Sequence, residues 1–301
     1  MEPEYNLDFP YPITPYPKLI INAAITGMIP TKKDNPNTPI SVNEIIEDAI
    51  RCYKAGASII HIHARDDDQE PTYKKEIFAQ IFEGIRNQCP DVIICATTSG
   101  RKQNIFEKRS QVLELKGNLK PDMASLTMNS MNFREKAVIN SPEMIANLAL
   151  KMNKNGIMPE IEIFDAGMIS TIKVMIKKGI LKPPFYANLL LGSIYSIPAT
   201  MFDLSYLVKS LPSNFNWAAA GIGKFQLKMN LSSVLMGGHV RVGLEDNLYY
   251  DHEKKQLATN EKLVTRIVNF SNEIGRKIAT AQETREMLGI PQLILNIDNL
   301  S

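Results

Sequence analysis

The chain has 301 residues, with 34 Lys and Arg against 32 Asp and Glu, four His, three Cys and one Trp. A net charge of +2 argues against nucleic acid or an acidic membrane surface as partner, and no run approaches the ~18 apolar residues of a membrane span. Cys52, Cys89 and Cys95 make neither an even framework nor a Cys-x-x-Cys pair, which argues against a disulfide scaffold or Cys-rich zinc finger and fits a reducing, cytoplasmic setting.

Residues 1–17 contain five prolines with Glu2, Glu4 and Asp8, and lack the basic and apolar regions of a signal peptide. They are expected to form an extended arm that wraps the domain or a neighbouring subunit. From residue 18 onward, short apolar runs alternate with segments of helical period. Strands are expected at 18–24, 58–63, 92–97, 123–126, 158–163, 186–191, 216–219 and 239–242. Helices are expected at 41–55, 73–88, 141–155, 166–178, 200–211, 225–236, 259–274 and 281–288. Ser41 with Glu44 reads as a capping box, Pro142 as a first helical residue, and Gly56, Gly156, Gly179 and Gly275 as stops. Strands that alternate with helices predict a parallel sheet, because parallel neighbours need helical crossovers. Eight such units predict an α/β fold, a (β/α)8 TIM barrel, as one domain over 18–301 with the arm in front. Residues 26–40 and 99–109 are the longest loops on the expected active face, which lies at the strand C-termini.

That face selects His61-Ile62-His63 first. Residues i and i+2 of a strand share a face, so both imidazoles point into the barrel at the strand's end. A divalent metal would satisfy both, whereas the plainer reading is a pair of structural core histidines. A catalytic zinc usually takes three protein ligands. Glu245, at the end of the eighth strand, can reach the same ion, and its neighbour Asp246 is then free for acid–base work with Arg241 five residues upstream. The plainer reading makes Glu245 and Asp246 solvated loop carboxylates. His239 sits at the wrong end of its strand for chemistry and reads as structural, and His252 reads as surface. Glu160 and Glu162 both point inward from strand five, toward a cation, a substrate donor or an internal Lys or Arg. Thr97, Thr98, Ser99 and Gly100 end strand three, and Ser125 and Thr127 end strand four. Hydroxyls and N–H groups there suit a carboxylate. Gly221, Gly223 and Lys224 precede a helix and suit a phosphate, or simply form a tight turn.

Taken together, several segments resemble the β-keto acid cleavage enzymes. They are Asn22-Ala23-Ala24-Ile25-Thr26-Gly27, His61-Ile62-His63-Ala64-Arg65-Asp66, Lys120-Pro121-Asp122-Met123-Ala124-Ser125-Leu126, Pro159-Glu160-Ile161-Glu162-Ile163-Phe164, Ala220-Gly221-Ile222-Gly223, and residues 237–247 from Gly237 through His239, Arg241, Glu245 and Asp246 to Asn247. The resemblance implies a zinc-dependent barrel, usually a homotetramer, that turns a β-keto acid and acetyl-CoA into acetoacetate and a new acyl-CoA. It implies Zn2+ on His61, His63 and Glu245. It implies Asp246, positioned by Arg241, as the base at substrate C2, and Glu162 as a retained catalytic-site residue. Thr97 stands for a family Ser, Ser125 for a Thr, and Thr127 where Asn is common. Ile29 stands where a member acting on an amino-bearing substrate has an acidic residue, which implies a neutral or apolar keto acid. The competing readings are a divalent-metal aldolase or lyase on the same barrel, and a metal-retaining binding protein without catalysis. A zinc hydrolase with His-x-His on strand one would need further histidines on strands five and six, and those strands contain none.

Overall fold

The computed structural model describes residues 16–292 apart from Glu135. Eight parallel strands close a barrel in sequence order. They are β1 (Ile21–Ala24), β2 (Ile59–Ile62), β3 (Ile93–Ala96), β4 (Met123–Thr127), β5 (Met158–Ile163), β6 (Phe185–Leu191), β7 (Phe215–Gly221) and β8 (His239–Val242). Closure is made by β8 on β1, with Arg241 in register with Asn22. The helices are α1 (Val42–Lys54), α2 (Lys75–Arg86), α3 (Phe106–Arg109), α4 (Pro142–Lys154), α5 (Ala166–Lys177), α6 (Met201–Ser210), α7 (Gln226–Leu235), α8 (Asn260–Glu273) and α9 (Ala281–Leu288). The α/β barrel expected from the alternation is the one observed.

Local chemistry sets the helix starts. Ser41 accepts the Glu44 N–H, and the Glu44 carboxylate accepts the Ser41 N–H, so the predicted capping box is formed. Ser141, Asp165, Thr200, Thr259 and Thr280 cap their helices in the same way through a side-chain oxygen.

Along each strand, alternate residues face two different cores. On β2, Ile60 and Ile62 pack outward with the helices, whereas Ile59 joins Ile20, Ile93, Met123, Tyr186 and Ala218 inside the barrel floor. The α9 helix closes that floor from below, with Leu288 and Ile290 in the inner cluster. Arg285 anchors it. Its Nη1 lies 2.8 Å from Asp122 Oδ1, and its Nε and Nη2 donate to the carbonyls of Asp91 and Val92. The helix seals one mouth, so chemistry is confined to the other.

Some expectations need correction. The first strand starts at Ile21 rather than residue 18, because Ile20 N–H donates to His239 Nδ1 instead of to a strand neighbour. The loop expected over 99–109 ends in the short helix α3. Two small hairpins, Ala64–Arg65 with Pro71–Thr72 and Met131–Asn132 with Ala137–Val138, stand above the barrel and were not foreseen. Most of the expected N-terminal arm lies outside the described residues. Of its last residues, Tyr16 donates its hydroxyl to the Leu235 carbonyl.

Candidate metal centre and acid–base pair

The C-terminal mouth brings together residues from β2, β5 and β8. His61 on β2 and His63, one residue past its end, face the same side and are both buried. His61 Nε2 is 3.3 Å from His63 Nε2, and His63 Nε2 is 3.2 Å from Glu245 Oε1. His61 Nε2 is 3.7 Å from Glu245 Oε2. A tetrahedral ion with bonds of about 2.0–2.1 Å holds neighbouring donors about 3.3 Å apart. The three side chains therefore fit one small divalent ion. Glu245 Oε2 is buried without a hydrogen-bond partner, and so is His63 Nδ1. An unsatisfied carboxylate oxygen at this position suits a cation.

A second donor group, His61, Cys95 and Glu160, also clusters here. Its geometry is different. Glu160 Oε2 lies 2.7 Å from His61 Nδ1, a hydrogen bond with no room for an ion between the atoms. Burial holds the Cys95 thiol well above its ordinary value, with Glu160 adding to the effect, so it offers no thiolate.

Arg241 is the hub of the charged network and is 1% exposed. Its Nε is 2.9 Å from Asp246 Oδ2, and Nη2 is 2.8 Å from Glu245 Oε1. Nη1 is 3.2 Å from Glu162 Oε1 and 3.8 Å from Glu160 Oε2. One guanidinium thus faces four carboxylates, and proton affinities respond to that excess of negative charge. Burial alone would depress His61, yet Glu160 and Glu245 outweigh it and raise it to about 9. Burial lifts Asp246 above the usual carboxylate range, and the adjacent Glu245 adds to this while Arg241 opposes it. Burial lifts Glu162 as well. Glu245 stays well below its ordinary value, because His63, Arg241 and His61 together overcome burial.

The remaining sequence-selected residues divide by what holds them. The turn after β3 is tied largely to itself. Thr98 N–H donates to Ser125 Oγ at 3.0 Å, Thr98 Oγ1 donates to the Ser125 carbonyl, and Ser99 N–H donates to Thr97 Oγ1. Thr97 and Ser125 accept these bonds, which leaves their own hydroxyl protons to donate elsewhere. Thr127 donates to Glu162 Oε2 at 2.6 Å. Gly100 lies against Arg109, where an added Cβ would sit 2.8 Å from Nη1. At the end of β7, Gly223 N–H donates to the Asp246 carbonyl at 2.7 Å, so this turn holds the Asp246 loop. Lys224 is exposed beside it, with Nζ 5.5 Å from the Phe225 ring centroid. Ile29 is 51% exposed on the loop after β1. His239 accepts from Ile20 N–H at the barrel floor and His252 is exposed, so neither joins the site.

Residues not singled out from the sequence complete the arrangement. Arg65 donates to the carbonyls of Gly27 and Pro30 and pins the Ile29 loop. Arg109 donates to the Thr98 carbonyl and to Asn140, and braces the β3 turn. Asn22 donates to Glu160. The i, i+2 pattern pointed to the inward carboxylates, but no periodicity marked the bracing roles of the two arginines, which come from bonds to other loops: Arg65 to the Gly27 and Pro30 carbonyls, and Arg109 to the Thr98 carbonyl and the Asn140 side chain.

The family model for β-keto acid cleavage enzymes matches residues 18–290. The chain belongs to the β-keto acid cleavage enzyme family. This family member is 41% identical over 274 residues to the 3-keto-5-aminohexanoate cleavage enzyme of Acetoanaerobium sticklandii, covering 91% of this chain and 98% of that one. It is 37% identical over 278 residues to the 3-oxoadipate:acetyl-CoA acetyltransferase of Cupriavidus necator, covering 91% and 95% of the two chains. Among solved structures, apo ObcA superposes with a TM-score of 0.77 at 19% identity, over 85% of this chain and 66% of that one, and supports the barrel fold alone. Among the described residues, no helix of this β-keto acid cleavage enzyme is long and apolar enough to cross a membrane.

Proposed function

We propose that this family member is a zinc-dependent acyltransferase that converts a β-keto acid and acetyl-CoA into acetoacetate and a new acyl-CoA, with the zinc on His61, His63 and Glu245. The observation that carries this is the donor triangle beside the Arg241–Asp246 pair at the open mouth of the barrel. A divalent ion held by His61, His63 and Glu245 would supply Lewis-acid polarisation of the substrate carbonyl, which would favour loss of a proton from C2. Asp246 takes that proton. Its raised proton affinity suits the transfer, and Arg241 fixes its orientation through Nε and Nη2. The C2 carbanion forms a bond to the thioester carbonyl of acetyl-CoA, and CoA thiolate leaves. The thiolate adds to the original keto carbon, the C2–C3 bond breaks, and the new acyl-CoA departs. Asp246 returns its proton to C2 of the acetoacetate carbanion.

Other residues have positioning or binding roles in this reading. Glu162 bridges Thr127 and Arg241 and orients the guanidinium. Thr97 and Ser125 donate hydroxyl protons to the substrate carboxylate, while Thr98, Ser99 and Gly100 shape the turn and Thr127 lines it. Gly221 and Gly223 set the β7 turn, and Lys224 meets a CoA phosphate. Ile29 offers no charge to an amine, so the favoured keto acid has a neutral or apolar end, unlike the substrates in the names of the two relatives. We assign one catalytic domain over 18–301 with an arm over 1–17, assembled as a homotetramer in the cytoplasm.

Steady-state assays with a panel of β-keto acids, with and without acetyl-CoA, test this. We expect strict dependence on acetyl-CoA, and acetoacetate matched one-to-one by an acyl-CoA in mass spectra. Turnover without acetyl-CoA would favour the aldolase or lyase. A clear preference for the amino-bearing acid would overturn the assignment of Ile29.

A further inference from the structure

The floor under His61 is more ordered than metal ligation alone requires. His61 uses Nε2 toward His63 and Glu245, which leaves Nδ1 to point down into the barrel. There it meets Glu160 Oε2 at 2.7 Å, a charge-assisted distance. Glu160 is 0% exposed. Its other oxygen accepts from Asn22 Nδ2 at 2.5 Å, across the barrel from β5 to β1. Asn22 is equally buried and stands in register with Arg241 on β8. A lone buried carboxylate could rotate or take a proton from elsewhere, but one gripped at both oxygens has a fixed plane.

We infer that Asn22 and Glu160 are positioning residues that preset His61 for metal binding. Glu160 accepts the Nδ1 proton and so keeps it on Nδ1. The Nε2 lone pair is then aimed at the point where His63 and Glu245 converge. Asn22 holds the Glu160 carboxylate in the plane of that hydrogen bond. Ligating histidines commonly donate their second ring N–H to such an acceptor, and loss of the acceptor typically weakens metal binding by about 10–100-fold. The pairing also explains why a carboxylate lies within reach of the site but is absent from the donor triangle. The inference rests on the metal reading of His61, His63 and Glu245 proposed above.

Zinc affinity, measured by competition with a chromophoric chelator, reads this without reference to turnover. Glu160→Gln keeps the side-chain length but replaces the carboxylate with a weaker, neutral acceptor, and should bind zinc about 10–100-fold more weakly than wild type. Asn22→Ser should weaken it by a smaller factor, about threefold or more, by freeing the Glu160 carboxylate. Should Glu160→Gln fail to fold, the Asn22 variant and the wild-type spectrum decide. In zinc-loaded wild type with 15N-labelled histidine, His61 should show a protonated Nδ1 and a metal-bound Nε2. Wild-type affinity in a folded Glu160→Gln protein, a metal-bound Nδ1, or a second zinc held by Cys95 would each overturn the inference while leaving the acyltransferase intact. A wild-type protein that turns over with acetyl-CoA but binds no divalent ion overturns the metal reading, and the pairing with it.

Discussion

Replacing Arg241 with Gln removes the positive charge that holds the site together. The guanidinium lies within 3.3 Å of Asp246, Glu245 and Glu162 and within 3.8 Å of Glu160. All these groups are largely buried, so solvent screens them little. Removing one partner of a buried pair typically costs about 3–5 kcal/mol. For a chain of 301 residues that is a fall in melting temperature of roughly 5–8 °C. The cost should depend on pH. Arg241 favours the charged form of all four carboxyls, so its loss lifts Asp246 and Glu162, already raised by burial, further above their unfolded values and takes away part of what holds Glu160 and Glu245 low. A carboxyl raised in the folded state contributes stability at low pH, where the folded protein holds the extra proton, and loses it as pH rises through the folded value. The gap between wild type and Arg241→Gln should therefore be smallest near about pH 5.5 and widen toward about pH 8. Saturating zinc supplies positive charge at Glu245 and should narrow it again. Thermal and urea unfolding of chelator-treated protein at both pH values, then with zinc, would measure this. A gap that is flat or shrinks as pH rises would refute the charge-excess argument, because a purely steric role for Arg241 has no reason to follow pH.

Three further outcomes are expected. Asp246→Asn should retain one zinc per chain by elemental analysis while acetoacetate formation falls about 10²–10⁴-fold, the usual contribution of a general base; turnover near wild type would remove Asp246 from the mechanism. In Gly238→Ala the new Cβ would lie 2.3 Å from Cη2 and Cζ3 of Trp217. Overpacking of that kind costs about 1–3 kcal/mol, and because Trp217 is the one tryptophan in the sequence, a red-shifted emission should accompany the lower midpoint in urea. Burial, with Arg276 nearby, holds His239 down to about 3. A depressed imidazole leaves the unfolded chain binding the extra proton below its ordinary value, so stability is full above about pH 6.5 and falls by about 1.4 kcal/mol per pH unit as pH drops toward 3. His239→Asn, which keeps an acceptor for the Ile20 N–H, should flatten that acid limb in urea titrations at about pH 4–6.

Much of the barrel was legible because its signals are local. Alternating apolar runs marked the strands, and the Ser41–Glu44 capping box and Pro142 marked helix starts with chemistry that acts within a few residues. What was not legible depends on long-range closure. The start of β1 is set by His239, some 219 positions away, which takes the Ile20 N–H that a longer strand would have used. The two small hairpins have strands of two residues each, too short for a period to register. Arg65 and Arg109 look like surface cations in the sequence, and only the folded loops supply the carbonyls that bury them.

The site shows the same division in its charge. Over the whole chain, acids and bases nearly cancel, and composition says nothing of a strongly negative centre. The i, i+2 rule could place His61 with His63 and Glu160 with Glu162, each pair on one face of its own strand. It could not bring β2, β5 and β8 to one mouth with a single arginine between four carboxylates, because that follows from barrel closure and register. Closure also gives the two strand-five carboxylates different partners. Glu162, nearer the mouth, meets Arg241 and Thr127, whereas Glu160, one pleat lower, meets His61 Nδ1 and Asn22. Two residues identical in type and facing the same way thus divide by height in the barrel, one beside the Arg241–Asp246 pair and one beneath the His61, His63 and Glu245 triangle. The excess negative charge that results would favour a divalent cation at this mouth, and the triangle of His61, His63 and Glu245 has the donor spacing to hold one, as proposed above.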